Sequence, residues 1–96
     1  MADTNESPIR EVISDFIDTF RIRGKYNEQL LNRNWEQIVG KAIAGHTRRL
    51  AVRDRKLILT VDSAALKHEL HLLRDKVIKL ANEHLGREAI HDLVVR

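Results

Sequence analysis

The chain has 96 residues, 43% apolar and 32% charged, with one Pro, four Gly and no Cys. That suffices for one domain with a single core, and it excludes disulfide scaffolds, thiolate catalysis and Cys-based zinc sites. No apolar run approaches the roughly 18 to 20 residues of a membrane span, and the polar, acidic start is unlike a signal peptide, so a cytoplasmic protein without a membrane partner is expected.

The net charge of +3 is unevenly spread. Residues 1–20 hold five acids and one Arg, residues 21–56 hold ten Arg and Lys against three acids, and residues 57–96 hold six of each. The positive excess therefore lies in the middle third, which points to a polyanionic partner more strongly than the total does.

Residues 1–6 are expected to be a flexible tail and residues 7–96 a single domain. Ser7-Pro8 suits a helix start, with a hydroxyl cap followed by Pro in the first turn. Ile9, Val12, Ile13, Phe16, Ile17 and Phe20 then repeat at i, i+3, i+4, i+7, i+8 and i+11, the apolar stripe of an amphipathic helix that Gly24 should end. A second helix is expected from Asn27. Leu31, Trp35, Ile38 and Ala42 line one face of it, with Gly40 giving a kink or a close approach and Gly45 a cap. Trp35 and Ile38 should anchor the core.

The period then changes to two. Leu50 and Val52, then Leu57, Leu59 and Val61, alternate with polar residues around Asp54-Arg55, the pattern of an antiparallel hairpin. The apolar set should face the core, leaving Arg49, Arg53, Lys56, Ile58 and Thr60 on the other face. Asp62-Ser63 should cap a helix of about 21 residues that carries Leu66, Leu70, Leu73, Val77 and Leu80 and stops at Gly86. Residues 89–96, with Leu93 and Val95 on one side, should form a third strand reached by that helix crossing over the sheet. The fold class is thus α+β in the order α-α-β-β-α-β, a three-stranded sheet backed on one face by helices, with the open face the natural place for a partner.

Two chemical motifs fail on inspection. Gly40 to Thr47 nearly fits the phosphate loop G-x-x-x-x-G-K-[ST], but His46 stands where the Lys should be, and the stretch leads from helix to strand rather than from strand to helix. His68 and His71 are spaced i, i+3 rather than the i, i+4 of a helical zinc protease, and no third ligand is evident. No nucleophile, base or paired-carboxylate constellation can be assembled, so neither an enzyme, a cofactor nor a small-molecule substrate is expected.

The basic cluster is the remaining signal. Arg48, Arg49, Arg53, Arg55 and Lys56 fall within nine residues, with Lys41 and Arg33 shortly before them. Such a face can simply be solvated, which keeps sheets from associating edge to edge. It can equally contact phosphates, which needs only cations spaced along a rigid surface. Aromatic residues for base stacking are nearly absent, so binding should be salt-sensitive and poorly selective.

The segment W-x-x-I-V-G-x-x-I-A-x-H-T at Trp35 to Thr47, the run L-x-L-T-V-D-S-A-A-L at Leu57 to Leu66, Glu69-Leu70 and Leu85-Gly86 together resemble the DciA family of bacterial proteins. The resemblance extends over nearly all the chain from about Ser7. It implies a fold like the K-homology domain, a role beside the replicative DNA helicase without ATP hydrolysis, and DNA binding through a basic surface. Mapped here, that surface is Arg48, Arg49, Arg53, Arg55 and Lys56, with Lys41. The G-x-x-G loop with which K-homology domains grip nucleic acid is missing, which disfavours RNA recognition in that mode. The leading expectation is a non-enzymatic replication accessory protein whose partners are DNA and the replicative helicase. The alternatives are an RNA-binding module in translation or RNA handling, and a protein-interaction domain whose basic face is only solvated.

Overall fold

The computed structural model describes the backbone from Ala2 to Arg96 and all side chains except those of residues 2–8, Arg10, Ser14, Ile17, Asp18 and Phe20. Its elements are α1 (Ala2–Arg33), α2 (Trp35–Val39), α3 (Lys41–His46), β1 (Thr47–Arg53), β2 (Lys56–Val61), α4 (Ala64–Leu72), α5 (Arg74–Leu85) and β3 (Asp92–Val95). The strands form one sheet in the order β1-β2-β3, antiparallel between the first two and parallel between the last two. This is the expected α+β arrangement, with α2 and α3 together standing for the second helix and α4 and α5 for the third. The helix start expected at Ser7-Pro8 is not observed, because α1 begins at Ala2 and passes through both residues, while the side chains of residues 2–8 lie outside the described residues.

The helix boundaries differ from expectation, each for a local reason. Gly24 does not end the first helix, because α1 continues through it to Arg33 and packs against β1. A Cβ on Gly24 would lie 3.6 Å from the Val52 carbonyl oxygen, an ordinary contact distance. Tertiary support from β1 outweighs the weak helix propensity of Gly. The break falls instead at Asn34, whose side-chain amide donates to the Leu30 carbonyl at 3.3 Å and so competes with the helix for its own acceptor. Gly40 provides the kink, with φ +93°, a value closed to most side chains. Gly45 is not the cap: α3 runs one residue further and Thr47 terminates it. The crossover helix is likewise interrupted at Leu73, which is 39% exposed while Leu70 and Val77 on either side are buried. Ser63 caps α4 as expected, accepting from the Leu66 N–H at 3.2 Å, and Gly86 ends α5 in the left-handed conformation.

The core follows from the sheet's alternation. Leu50 and Val52 of β1 pair with Leu59 and Leu57 of β2, which pair in turn with Val95 and Leu93 of β3. Against this face pack Leu31, Trp35, Leu66, Leu70, Val77 and Ala81, with Ile38, Val39 and Ile43 at its margin. The Trp35 indole N–H donates to the Thr47 hydroxyl at 3.1 Å, and that hydroxyl donates to the Ile43 carbonyl at 2.7 Å, tying both short helices to the start of β1. Trp35 is buried in the core, whereas Ile38 is only partly buried against it. The segment leading into β3 is held by Asn82, whose side chain bonds both the carbonyl and the N–H of Ile90, at 2.9 and 2.8 Å. Buried Asn27 accepts from the Arg87 guanidinium at 3.3 Å, joining α1 to the same segment.

Two substitutions test this account by urea unfolding. Gly24→Ala should raise stability by about 0.5 to 1 kcal/mol, because the position is helical and has room for a methyl group, whereas a capping Gly would lose stability on the same change. Asn82→Ala should lower stability by about 2 to 3 kcal/mol, since it strips partners from both backbone groups of Ile90.

Candidate nucleic-acid interface

The hairpin turn sets the geometry of the basic cluster. Asp54 and Arg55 have φ +50° and +63°, as a primed two-residue turn requires at both central positions. Gly is the usual solution at such positions, and a residue with a side chain costs on the order of 1 kcal/mol there. The Arg55 carbonyl accepts from the His91 N–H at 2.8 Å, so the turn is fixed to the segment entering β3.

Pairing then distributes the cations. Arg49 lies opposite Thr60, Ala51 opposite Ile58, and Arg53 opposite Lys56, while Ile58 and Lys56 neighbour Val94 and Asp92. All of these alternate with the core residues, so they share the sheet face that the helices do not cover. The face has an apolar centre of half-buried Ile58 and Val94 beside buried Ala51, with exposed Arg49, Arg53 and Lys56 around it. Asp92, the acid set beside Lys56, is engaged by the Arg74 guanidinium, whose Nε lies 3.1 Å from Oδ1. That contact, with the Leu93 N–H, holds the Asp92 carboxyl below the usual carboxylate range.

Of the six cations expected at the site, Arg49, Arg53 and Lys56 are brought together on this face and Arg55 stands at its end in the turn. Arg48 is set apart. The register shifts between Thr47 and Arg49, making Arg48 the extra residue of a bulge. Its guanidinium pairs with Asp62, whose other carboxylate oxygen lies 2.7 Å from His46 Nδ1. The hydrogen bond from His46 and the Arg48 guanidinium hold the Asp62 carboxyl below its usual range, against partial desolvation. Asp62 therefore fastens the bulge rather than capping α4. Lys41 lies at the start of α3, where it lines a shallow depression with Arg33 and Gly40. A second depression shares Arg33 and reaches Arg48 and Arg49. Sequence reasoning missed Arg96, which continues the β3 alternation onto the open face while its backbone stays bonded to Leu59 and Val61. The signal was present in the alternation of Leu93 and Val95.

Because the Asp62 carboxyl is depressed in the folded chain, its contribution is present above the unfolded aspartate value near 3.9 and is lost as pH falls through the folded value. The melting-temperature difference between the chain and Asp62→Asn should therefore be present at neutral pH and shrink once the pH drops below about 4.

The family model described as Dna[CI] antecedent, DciA, matches residues 8–95. A UPF0232 protein of Corynebacterium glutamicum (strain R) is 37% identical over 60 residues, which is 62% of this chain and 34% of that protein. The chain thus spans about a third of the length of the curated relative it matches. With the family match running from α1 through β3, the chain belongs to the DciA family.

Proposed function

We propose that this chain is a cytoplasmic, non-enzymatic accessory protein of DNA replication that binds DNA through the open sheet face and contacts the replicative DNA helicase. The observation that carries the DNA part is the register that gathers Arg49, Arg53 and Lys56 around Ala51, Ile58 and Val94. Cations fixed on a rigid sheet offer phosphates a preformed set of partners, and the apolar strip between them suits the sugar and base surfaces of a strand lying across it. Arg55 supports the same reading: it occupies a left-handed turn position where Gly would be cheaper, the kind of local strain that concentrates at functional sites. Arg48 is secondary, because Asp62 already engages it. The helicase part rests on family membership.

Fluorescence anisotropy with labelled single-stranded DNA tests the face. Contact with three phosphates should give a slope of about −2 in log K against log salt, and Arg49→Glu/Arg53→Glu should abolish binding while the folded signal of buried Trp35 is unchanged. An absence of binding at low salt, or equal binding by the double variant, would refute the assignment. Tighter binding of a structured RNA would replace DNA by RNA. Co-purification with the replicative helicase of the host tests the second partner, and a helicase recovered without this chain would remove that part alone.

A further inference from the structure

The two shallow depressions beside the sheet meet at Arg33 and Glu36, which line both. One runs from Lys41 and Gly40 to Arg33, and the other from Arg33 past Thr47 to Arg48 and Arg49. Trp35 and Leu50 of the core layer also line the second, while Arg49 belongs to the open face by its register. β1 has β2 as its neighbour in the sheet on one side, so this depression crosses the other, outer edge of β1 near its start. The basic surface therefore does not stop at the margin of the open face. It turns over that edge as a continuous trough onto the helical side.

Its cations are available and their spacing is fixed. Arg33, Lys41 and Arg49 are exposed and form no ion pair among the described residues, whereas Arg48 and Arg74 are held by Asp62 and Asp92. Against them the lining sets one acid, Glu36. The Asn32 side-chain amide donates to the Leu50 carbonyl at 3.3 Å, fastening the end of α1 that carries Arg33 to the β1 edge. The bonds from Trp35 to Thr47 and from Thr47 to Ile43 fasten α2 and α3, and with them Lys41, to the same strand. Charges held in place before binding lose less freedom when they meet phosphates. We infer that a DNA strand on the open face continues over the β1 edge into this trough, where Arg33 and Lys41 contact its phosphates. The inference rests on the open face binding DNA and adds the path of the strand and its form. A three-stranded sheet is only roughly 10 Å across. A duplex, stiff over roughly 150 base pairs, does not turn from one face of it to the flank, and a single strand tracking a basic groove does.

Fluorescence anisotropy with oligothymidylates of about 4 and about 16 nucleotides separates the face from the trough. The short strand reaches the face alone and should show the slope of about −2 in log K against log salt that three phosphates give, and the long strand about −3.5 as Arg33 and Lys41 add two contacts. Arg33→Gln/Lys41→Gln should return the long strand to about −2 and leave the short one unchanged, with the folded signal of buried Trp35 intact. Lys67→Gln/Lys76→Gln removes the same charge from α4 and α5, outside both depressions, and should alter neither slope. A long-strand slope that the Arg33/Lys41 variant leaves unchanged, or changes no more than the Lys67/Lys76 variant does, would overturn the inference while the open face stands as the DNA site. An equal loss of slope with a duplex of the same length would overturn the turned path. No binding of either strand by the unaltered chain would remove the face and the trough together.

Discussion

The structure depends on the alternation of one strand. β2 is the central strand, bonded to β1 on one side and β3 on the other, and every second side chain in it belongs to the core. Leu57 and Leu59 are fully buried, while Lys56, Ile58 and Thr60 point the other way. A slip of one residue would send both Leu side chains to solvent and bring Lys56 and Thr60 into the apolar layer. The hydrophobic effect thereby fixes register, and register fixes the positions of cations that take no part in the core. Burial on one face determines the charge pattern on the other.

Departures from regularity sit around that strand rather than in it. The turn holds two residues at positive φ, and the bulge turns Arg48 aside toward Asp62 and His46. Both lie at ends of β1, where pairing can be disturbed without moving Leu57 or Leu59. The effect is to sort the basic residues by role. Arg48 is drawn into an ion pair that secures the entry to the sheet, and Arg49, one position later, returns to the regular alternation and faces outward. Two adjacent arginines of identical chemistry are thus separated by backbone geometry alone.

The sheet was legible in the sequence because a period of two survives small errors in strand ends. The assignment of Leu50, Val52, Leu57, Leu59 and Val61 to one face, and of Arg49, Arg53, Lys56, Ile58 and Thr60 to the other, agrees with the observed pairing. Helix ends were less legible, since they turn on tertiary contacts that composition does not reveal. Gly24 reads as a stop by propensity, yet the neighbouring β1 carries the helix through it. Asn34 gives little warning of the break its side chain makes with Leu30. The bulge is harder still, because one extra residue leaves alternation intact on both sides and shows only in the pairing partner. The apolar repeat on the first helix reads as a core stripe, yet Ile9, Val12, Ile13 and Phe16 are exposed, because periodicity alone does not tell a stripe covered by the body from one that is not.

The parallel pairing of β2 with β3 has a kinetic consequence. Leu57 meets Leu93 across thirty-six residues of chain, and all of α4 and α5 must be in place before the contact forms. Closing so long a loop consumes entropy that local helix formation does not repay. The β1–β2 hairpin can form early from adjacent residues, but its central strand then has one neighbour and an uncovered apolar face until the crossover is complete. The cationic residues flanking the turn keep that half-built sheet charged during the interval, which disfavours edge-to-edge association of incomplete chains. A charge pattern placed for the folded protein thus also protects the chain while it folds.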